Sequence, residues 1–136
     1  MLRPSLRILA LMVAGCSDGV GPRPVQSCSH DQEVQVTVNT DHLPVFTWDP
    51  PCGLASLAVW DQNRTSGWVL YTGSRAADNP LRSGIRYGDA PPEALEPAPA
   101  DRLTSGTYTV IVYRWSSFDE SGAGSLIPVG EGTFER

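Results

Sequence analysis

The chain has 136 residues, a length that suits one compact domain and is too short for two. All ten basic residues are arginine, and fifteen acidic residues leave a formal net charge of −5. No segment forms a basic stripe that would neutralise a phosphate backbone, so no nucleic acid partner is expected.

The first sixteen residues are ordered like a secretory signal. Arg3 and Arg7 precede a short apolar stretch at residues 8–13, and small residues follow it. The stretch is far shorter than the ~20 apolar residues that a membrane-spanning helix needs. The segment VAGC at residues 13–16 resembles the lipobox of bacterial lipoprotein signals, whose cysteine is acylated and whose preceding peptide is removed.

The lipobox resemblance implies a signal peptide at residues 1–15 and lipidation of Cys16, which makes membrane lipid the partner of the acylated cysteine. Two or three acyl chains, at ~0.8 kcal/mol per buried methylene, make such anchoring effectively permanent. Ser17 stands where an Asp would favour the inner membrane, so the resemblance favours the outer membrane of a bacterial cell envelope. An ordinary signal peptide, or an N-terminal strand with an incidental cysteine, is the alternative.

The remaining chain divides into a tether and a β domain. Residues 16–27 contain Gly and Pro and few large apolar side chains, which predicts a flexible tether. Residues 28–136 contain short β-type segments separated by Gly and Pro, and no helical period, which predicts an antiparallel sandwich of about seven strands. The acidic, Pro-rich residues 88–102 are interpreted as a connection that crosses between the sheets. The clearest predicted strands are Glu33–Asn39, Pro44–Trp48, Leu54–Asp61, Gly67–Gly73, Gly106–Trp115 and Gly130–Glu135.

Two cysteines remain for the domain, an even pair that suits an oxidising compartment. The first two predicted strands form a hairpin about Thr40 and Asp41. Cys28 and Cys52 are nearly equidistant from that centre, so antiparallel pairing predicts a disulfide between them. Two free thiols or a metal pair is the alternative, although two cysteines with nearby His30 make a poor zinc site.

Two motifs carry a family resemblance. In PVFTWDPP, Trp48 is placed like the core tryptophan of a second strand, and in LTSGTYTVIVY the residues Leu103, Gly106 and Tyr108 are similar to a tyrosine corner. With these motifs the domain resembles fibronectin type III and related immunoglobulin-like modules. The resemblance implies an all-β, antiparallel, immunoglobulin-like sandwich, and it implies no activity because fold analogy carries none.

The histidines give no sign of catalysis. His30 and His42 lie at opposite ends of the first predicted strand, too far apart in an extended chain to share one ion. The sequence shows no oriented base facing a nucleophile and no set of three metal ligands. We therefore expect a non-catalytic binding or structural module that needs no cofactor or metal. The alternative is a small envelope hydrolase, which a pocket uniting His42 with an Asp or Ser of another strand would favour.

Strand parity predicts an aromatic surface. If Tyr108 faces the core, as the resemblance implies, the alternate residues of the same strand face outward. The preceding strand sends another tryptophan to the same side. Such a patch would bind an envelope protein or a glycan, unless the connection at residues 88–102 covers it. The candidate binding surface comprises Trp60, Tyr113 and Trp115, with Trp68 or Tyr71 at its edge.

Overall fold

A computed structural model of the chain describes residues 25–29, 31–73, 79–116 and 124–136. The predicted signal segment, Cys16 and His30 lie outside the described residues. Across the described ranges the chain forms seven strands in two antiparallel sheets and no helix, so the predicted all-β sandwich is confirmed. No helix long and apolar enough to cross a membrane occurs in this part of the chain.

One sheet has three strands in the order β1-β2-β5, and the other has four in the order β4-β3-β6-β7. All neighbouring strands within each sheet pair antiparallel. The strands are β1 (Gln35–Asn39), β2 (Val45–Asp49), β3 (Ser56–Asp61), β4 (Gly67–Tyr71), β5 (Ile85–Arg86), β6 (Thr107–Trp115) and β7 (Leu126–Glu135).

The core lies between the two sheets and follows from period-two alternation along the strands. Along β6, Tyr108, Val110 and Val112 are buried while their neighbours are only partly buried. In the facing sheet, Phe46 is fully buried, and its ring lies 5.8 Å from that of Phe134. Removal of this apolar surface from water is the main term that stabilises the sandwich.

Two glycines of β7 let the edges of the sheets meet. The Val34 N–H donates a hydrogen bond of 2.9 Å to the Val129 carbonyl oxygen, just before β1 begins. A Cβ atom on Gly130 would clash with the Val34 carbonyl oxygen, and one on Gly132 would meet the Val36 backbone and side chain. The missing side chains therefore allow β1 to lie directly against β7.

The Cys28–Cys52 disulfide is present, with the Cα atoms 4.8 Å apart. Backbone hydrogen bonds join the chain on either side of this disulfide. The Gly53 N–H donates to the Gln26 carbonyl oxygen at 2.7 Å, and the Cys28 N–H donates to the Gly53 carbonyl oxygen at 3.0 Å. Residues 26 and 27, which the sequence assigns to the tether, thus lie beside Gly53 of the domain.

The predicted centre of the hairpin, from which the disulfide was inferred, was wrong. β1 and β2 pair about His42 rather than about Thr40 and Asp41, as the pairing of Val38 with Phe46 shows. Cys28 therefore does not reach Cys52 through the antiparallel ladder. It does so because the preceding residue, Ser27, forms a parallel bridge with Gly53.

Candidate functional site

The four-stranded sheet has an apolar outer face. β3 pairs with β6 so that Ser56 lies opposite Tyr113, Ala58 opposite Ile111 and Trp60 opposite Thr109. These positions alternate with the core residues of both strands and therefore face away from the core. Ser56 and Ala58 are nevertheless buried, because they are small and lie among larger neighbours.

One row of side chains crosses this face at right angles to the strands. Tyr71 of β4 pairs with Ser56, Ser56 with Tyr113, and Tyr113 with Pro128 of β7. Leu95 extends the row beyond β4 through an isolated bridge to Tyr71. We call these five residues the transverse row.

The transverse row holds much of the exposed apolar surface of the domain. Leu95 is 53 % exposed and Tyr71 is 37 % exposed. Beside the row, Trp115 pairs with Leu126, which is 38 % exposed. Three of the four exposed large hydrophobic residues in the described ranges therefore lie in or next to the row, which marks this end of the face as a candidate interaction surface.

The predicted surface needs a first correction at Trp60. It does face outward, but it pairs with Thr109, whereas Tyr113 pairs with Ser56. Four residues along a strand separate Ser56 from Trp60, so the two aromatic sites lie about 13 Å apart along the sheet. The error arose because adjacency of two antiparallel strands does not place their C-terminal ends together. Trp60 therefore does not join Tyr113 and Trp115 in one cluster.

Trp68 needs a second correction, because it faces the core. It pairs with Val59 and is 2 % exposed. Its indole Nε1–H donates a 2.6 Å hydrogen bond to the Glu96 carboxylate, and its ring meets the edge of Tyr87 at 5.3 Å. Of the two residues offered for the edge of the surface, only Tyr71 lies on the outer face.

The connection at residues 88–102 is attached along the open edge of β4. Leu95 and Tyr71 exchange backbone hydrogen bonds of 2.7 and 3.1 Å. Farther along, the Asp101 N–H donates to the Gly67 carbonyl oxygen at 3.1 Å, and the Gly67 N–H donates to the Asp101 carboxylate at 2.8 Å. These contacts shield the edge of the strand. They place the connection beside β4, with β3 between β4 and the outward residues of β6.

Tyr87 holds this connection to the core through a side-chain hydrogen bond. Its side chain is buried, and its hydroxyl donates a 2.8 Å hydrogen bond to the Asp101 carbonyl oxygen. Burial, and secondarily the negative charge of Asp101, raises the pKa of Tyr87 to about 12. Tyr87 thus stays a neutral hydrogen-bond donor at neutral pH.

The charges on the outer face are acidic and lie toward β7. Among the outward positions of the four strands, only Glu131 and Glu135 are ionisable at neutral pH, and no arginine occurs there. Glu131 pairs with Ile111, next to the transverse row. An open cleft of about 390 Å³ beside it is also lined by Glu33 and Pro128. This side of the face repels anions.

His42 lies far from this surface, in the turn between β1 and β2. It is exposed, and its cleft of about 350 Å³ is lined by Asn39, Asp41 and Arg86 among others, with no serine. The pocket that would favour a hydrolase, joining His42 to an Asp or Ser of another strand, is not found in the described ranges. Nor do these ranges bring together three or more residues that could hold a metal ion.

Four residues of the surface were not predicted from the sequence, namely Ser56, Leu95, Leu126 and Pro128. β7 begins at Leu126 rather than at the predicted Gly130. The prediction started too late because Pro128 interrupts the strand pattern of the sequence. In the structure Pro128 lies at a register shift opposite Tyr113. The apolar pair Leu126 and Ile127 was the signal that could have extended the strand. Leu95 carries no comparable signal, since a single bridge holds it.

Comparisons with protein-family models, with curated proteins and with solved structures found no match to this chain.

Proposed function

We propose that this chain is a lipid-anchored protein of a bacterial cell envelope whose β-sandwich is a non-catalytic binding module. The observation that carries the proposal is the outer face of the four-stranded sheet, where Tyr71, Tyr113, Trp115 and Leu126 stand outside the core. Aromatic side chains placed together on a rigid sheet are typical of recognition surfaces.

Two features support the anchoring half of the proposal. The VAGC segment ending at Cys16 has lipobox spacing, and the charged and apolar segments of a secretory signal precede it. The Cys28–Cys52 disulfide is typical of proteins outside the reducing cytosol. A tether that ends by residue 25 leaves the domain close to the lipid surface.

The strand order supports the kinship with fibronectin type III and immunoglobulin-like modules. In such modules a sheet of strands A, B and E faces a sheet of strands C′, C, F and G, the order of the seven strands here. The Tyr108 hydroxyl accepts a 3.0 Å hydrogen bond from the Thr104 N–H, as a tyrosine corner requires. Trp48 is buried in the core. Modules of this shape act through surfaces and loops, which favours binding over catalysis.

Anchoring is tested by Cys16→Ser, with Ser17→Ala as the matched control. We expect the Cys16→Ser protein to lose acylation, and therefore to leave the detergent phase in detergent partitioning or to retain its signal peptide. Ser17→Ala should partition like the unmodified protein. A Cys16→Ser protein that is processed and still enters the detergent phase would contradict the lipid anchor.

Binding is tested by placing a photo-reactive benzoylphenylalanine at Leu126, next to the transverse row, in cells that produce the protein. The matched control is Thr47, an exposed position on the outer face of the three-stranded sheet. We expect irradiation to give a defined adduct from position 126 and none from position 47. Equal labelling at both positions, or none at either, would contradict a binding face on the four-stranded sheet.

A further inference from the structure

The transverse row has a spacing that selects among ligands. Tyr71 and Tyr113 lie on the two strands that flank β3, with Ser56 between them. Two strand spacings separate them, which is about 10 Å. This distance is also close to the length of two units in an extended, β-linked chain of pyranose sugars, so two rings in this row match alternate sugars of such a chain.

The surface between the two tyrosines is continuous. Ser56 is only 3 % exposed although it belongs to the outer face, so larger neighbours close over it. Its hydroxyl donates a 2.7 Å hydrogen bond to the Leu70 carbonyl oxygen and is already satisfied. The row is thus a strip from Leu95 to Pro128 with no charged side chain in it.

The tyrosines also carry the polar groups that a sugar needs. Neither the Tyr71 nor the Tyr113 hydroxyl forms a hydrogen bond to another described residue, whereas the buried Tyr87 and Tyr108 hydroxyls both do. A phenolic hydroxyl donates and accepts, so the two free groups suit the hydroxyls of a carbohydrate. Their rings provide the flat apolar surface on which pyranose C–H groups stack.

The charge of the outer face favours an uncharged sugar chain over charged ligands. Glu131 lies next to the row, Glu135 lies farther along β7 opposite Thr107, and no outward arginine of the described sheet offsets them. Acidic polysaccharides and anionic lipid surfaces are therefore repelled. A neutral chain meets no such penalty.

We propose that the transverse row binds an uncharged, extended polysaccharide of β-linked pyranose units, with Tyr71 and Tyr113 each stacking on a sugar. The ligand crosses the sheet at right angles to the strands, from the Leu95 side to the Pro128 side. This assignment rests on the proposed function as a binding module and adds its ligand class.

The test titrates the full chain, in a detergent without a sugar headgroup, with chitohexaose, a neutral β-1,4-linked hexasaccharide. Tryptophan fluorescence reports binding because Trp115 lies two residues from Tyr113. The variants are Tyr71→Ser and Tyr113→Ser, with Trp60→Ser as the matched control at the other end of the same face. Thermal unfolding of each variant verifies that it folds. If Tyr113→Ser does not fold, binding is tested with Tyr71→Ser alone, because Tyr71 is at an exposed position.

We expect saturable binding of chitohexaose that is insensitive to salt and roughly tenfold weaker in each tyrosine variant. Trp60→Ser should stay within about twofold, and the α-linked maltohexaose should not bind, since its chain is curved. Absence of chitohexaose binding, or equal weakening by Trp60→Ser, would overturn the assignment. If the photo-reactive group at position 126 labels a protein but chitohexaose does not bind, the proposed ligand class is wrong and the proposed binding module is retained. If there is neither labelling nor chitohexaose binding, both proposals are wrong.

Discussion

The two sheets of this sandwich share one core but turn different faces to the outside. The three-stranded sheet presents mostly polar outward side chains, including Gln35, Thr37, Thr47 and Arg86. The four-stranded sheet presents Tyr71, Ile111, Tyr113 and other apolar groups in the equivalent positions. The same alternation thus gives one sheet with a mostly polar outer face and another whose outer face exposes apolar side chains, the surface that we propose as a binding site.

Both edge strands of the four-stranded sheet contact other segments of the chain. The open edge of β4 is protected by the connection, through hydrogen bonds at Gly67 and Tyr71. β7 is met at its start by the segment before β1. The hydrogen bonds along β4 leave this edge of the sheet closed to the addition of another strand.

The strongest test of this comparison removes a side chain from the shared core. Phe46→Ala should lower the free energy of unfolding by about 3–5 kcal/mol, because the ring is fully buried between the sheets. Thr47→Ala, its neighbour on the polar outer face, should change it by less than about 0.5 kcal/mol. Urea unfolding measures both. Similar losses for the two variants would show that the outer face of the three-stranded sheet is not an ordinary solvated surface.

A smaller effect is expected from the disulfide beside the three-stranded sheet. Cys28→Ala with Cys52→Ala opens a link across a sequence separation of 24 residues, and the chain-entropy model gives a loss of about 3.5 kcal/mol. Hydrogen exchange should show faster opening of β1 and β2 than of β3 and β6. Uniformly faster exchange in both sheets would mean that the two sheets do not differ in their dependence on this link.

The attachment of the connection beside β4 is tested by varying the pH, and we expect a smaller effect on stability than for the disulfide. The folded-state pKa of Tyr87 is raised to about 12 from an ordinary value near 10, so the unfolded chain releases this proton first. Stability from this group is therefore complete below pH 10 and is lost as the pH rises toward 12. In urea unfolding at pH 9 and pH 11, Tyr87→Phe should lose less stability than the unmodified protein. An equal loss of stability in Tyr87→Phe and in the unmodified protein would show that ionisation of Tyr87 does not cause the loss at high pH.

Local patterns predicted the fold well where burial alone decides it. The tyrosine-corner resemblance indicated that Tyr108 faces the core, and the alternation in β6 then correctly placed Tyr113 on the outer face, because each strand residue has only two faces to choose between. Register was harder, since it depends on turn geometry. The hairpin centre moved to His42, and Trp60 proved to lie opposite Thr109.

Long-range contacts set the remaining limits. The inward position of Trp68 depends on Val59 across the ladder and on Glu96, which is 28 residues away in the chain. Leu95 joins the surface through one isolated β-bridge to Tyr71, and no local sequence pattern predicts this bridge. Such contacts form only once the sandwich is assembled, so the sequence indicated the kind of surface and not its outline.

We propose that the outer face of the four-stranded sheet is occupied in the cell envelope while the opposite surfaces are not. Hydroxyl-radical footprinting of the protein in intact envelopes, compared with the purified protein, tests it directly. We predict that Tyr71 and Tyr113 are protected in the envelope, whereas the exposed Leu43 in the turn before β2 is oxidised equally in both samples. Equal oxidation of Tyr71 and Tyr113 in the two samples would contradict the account.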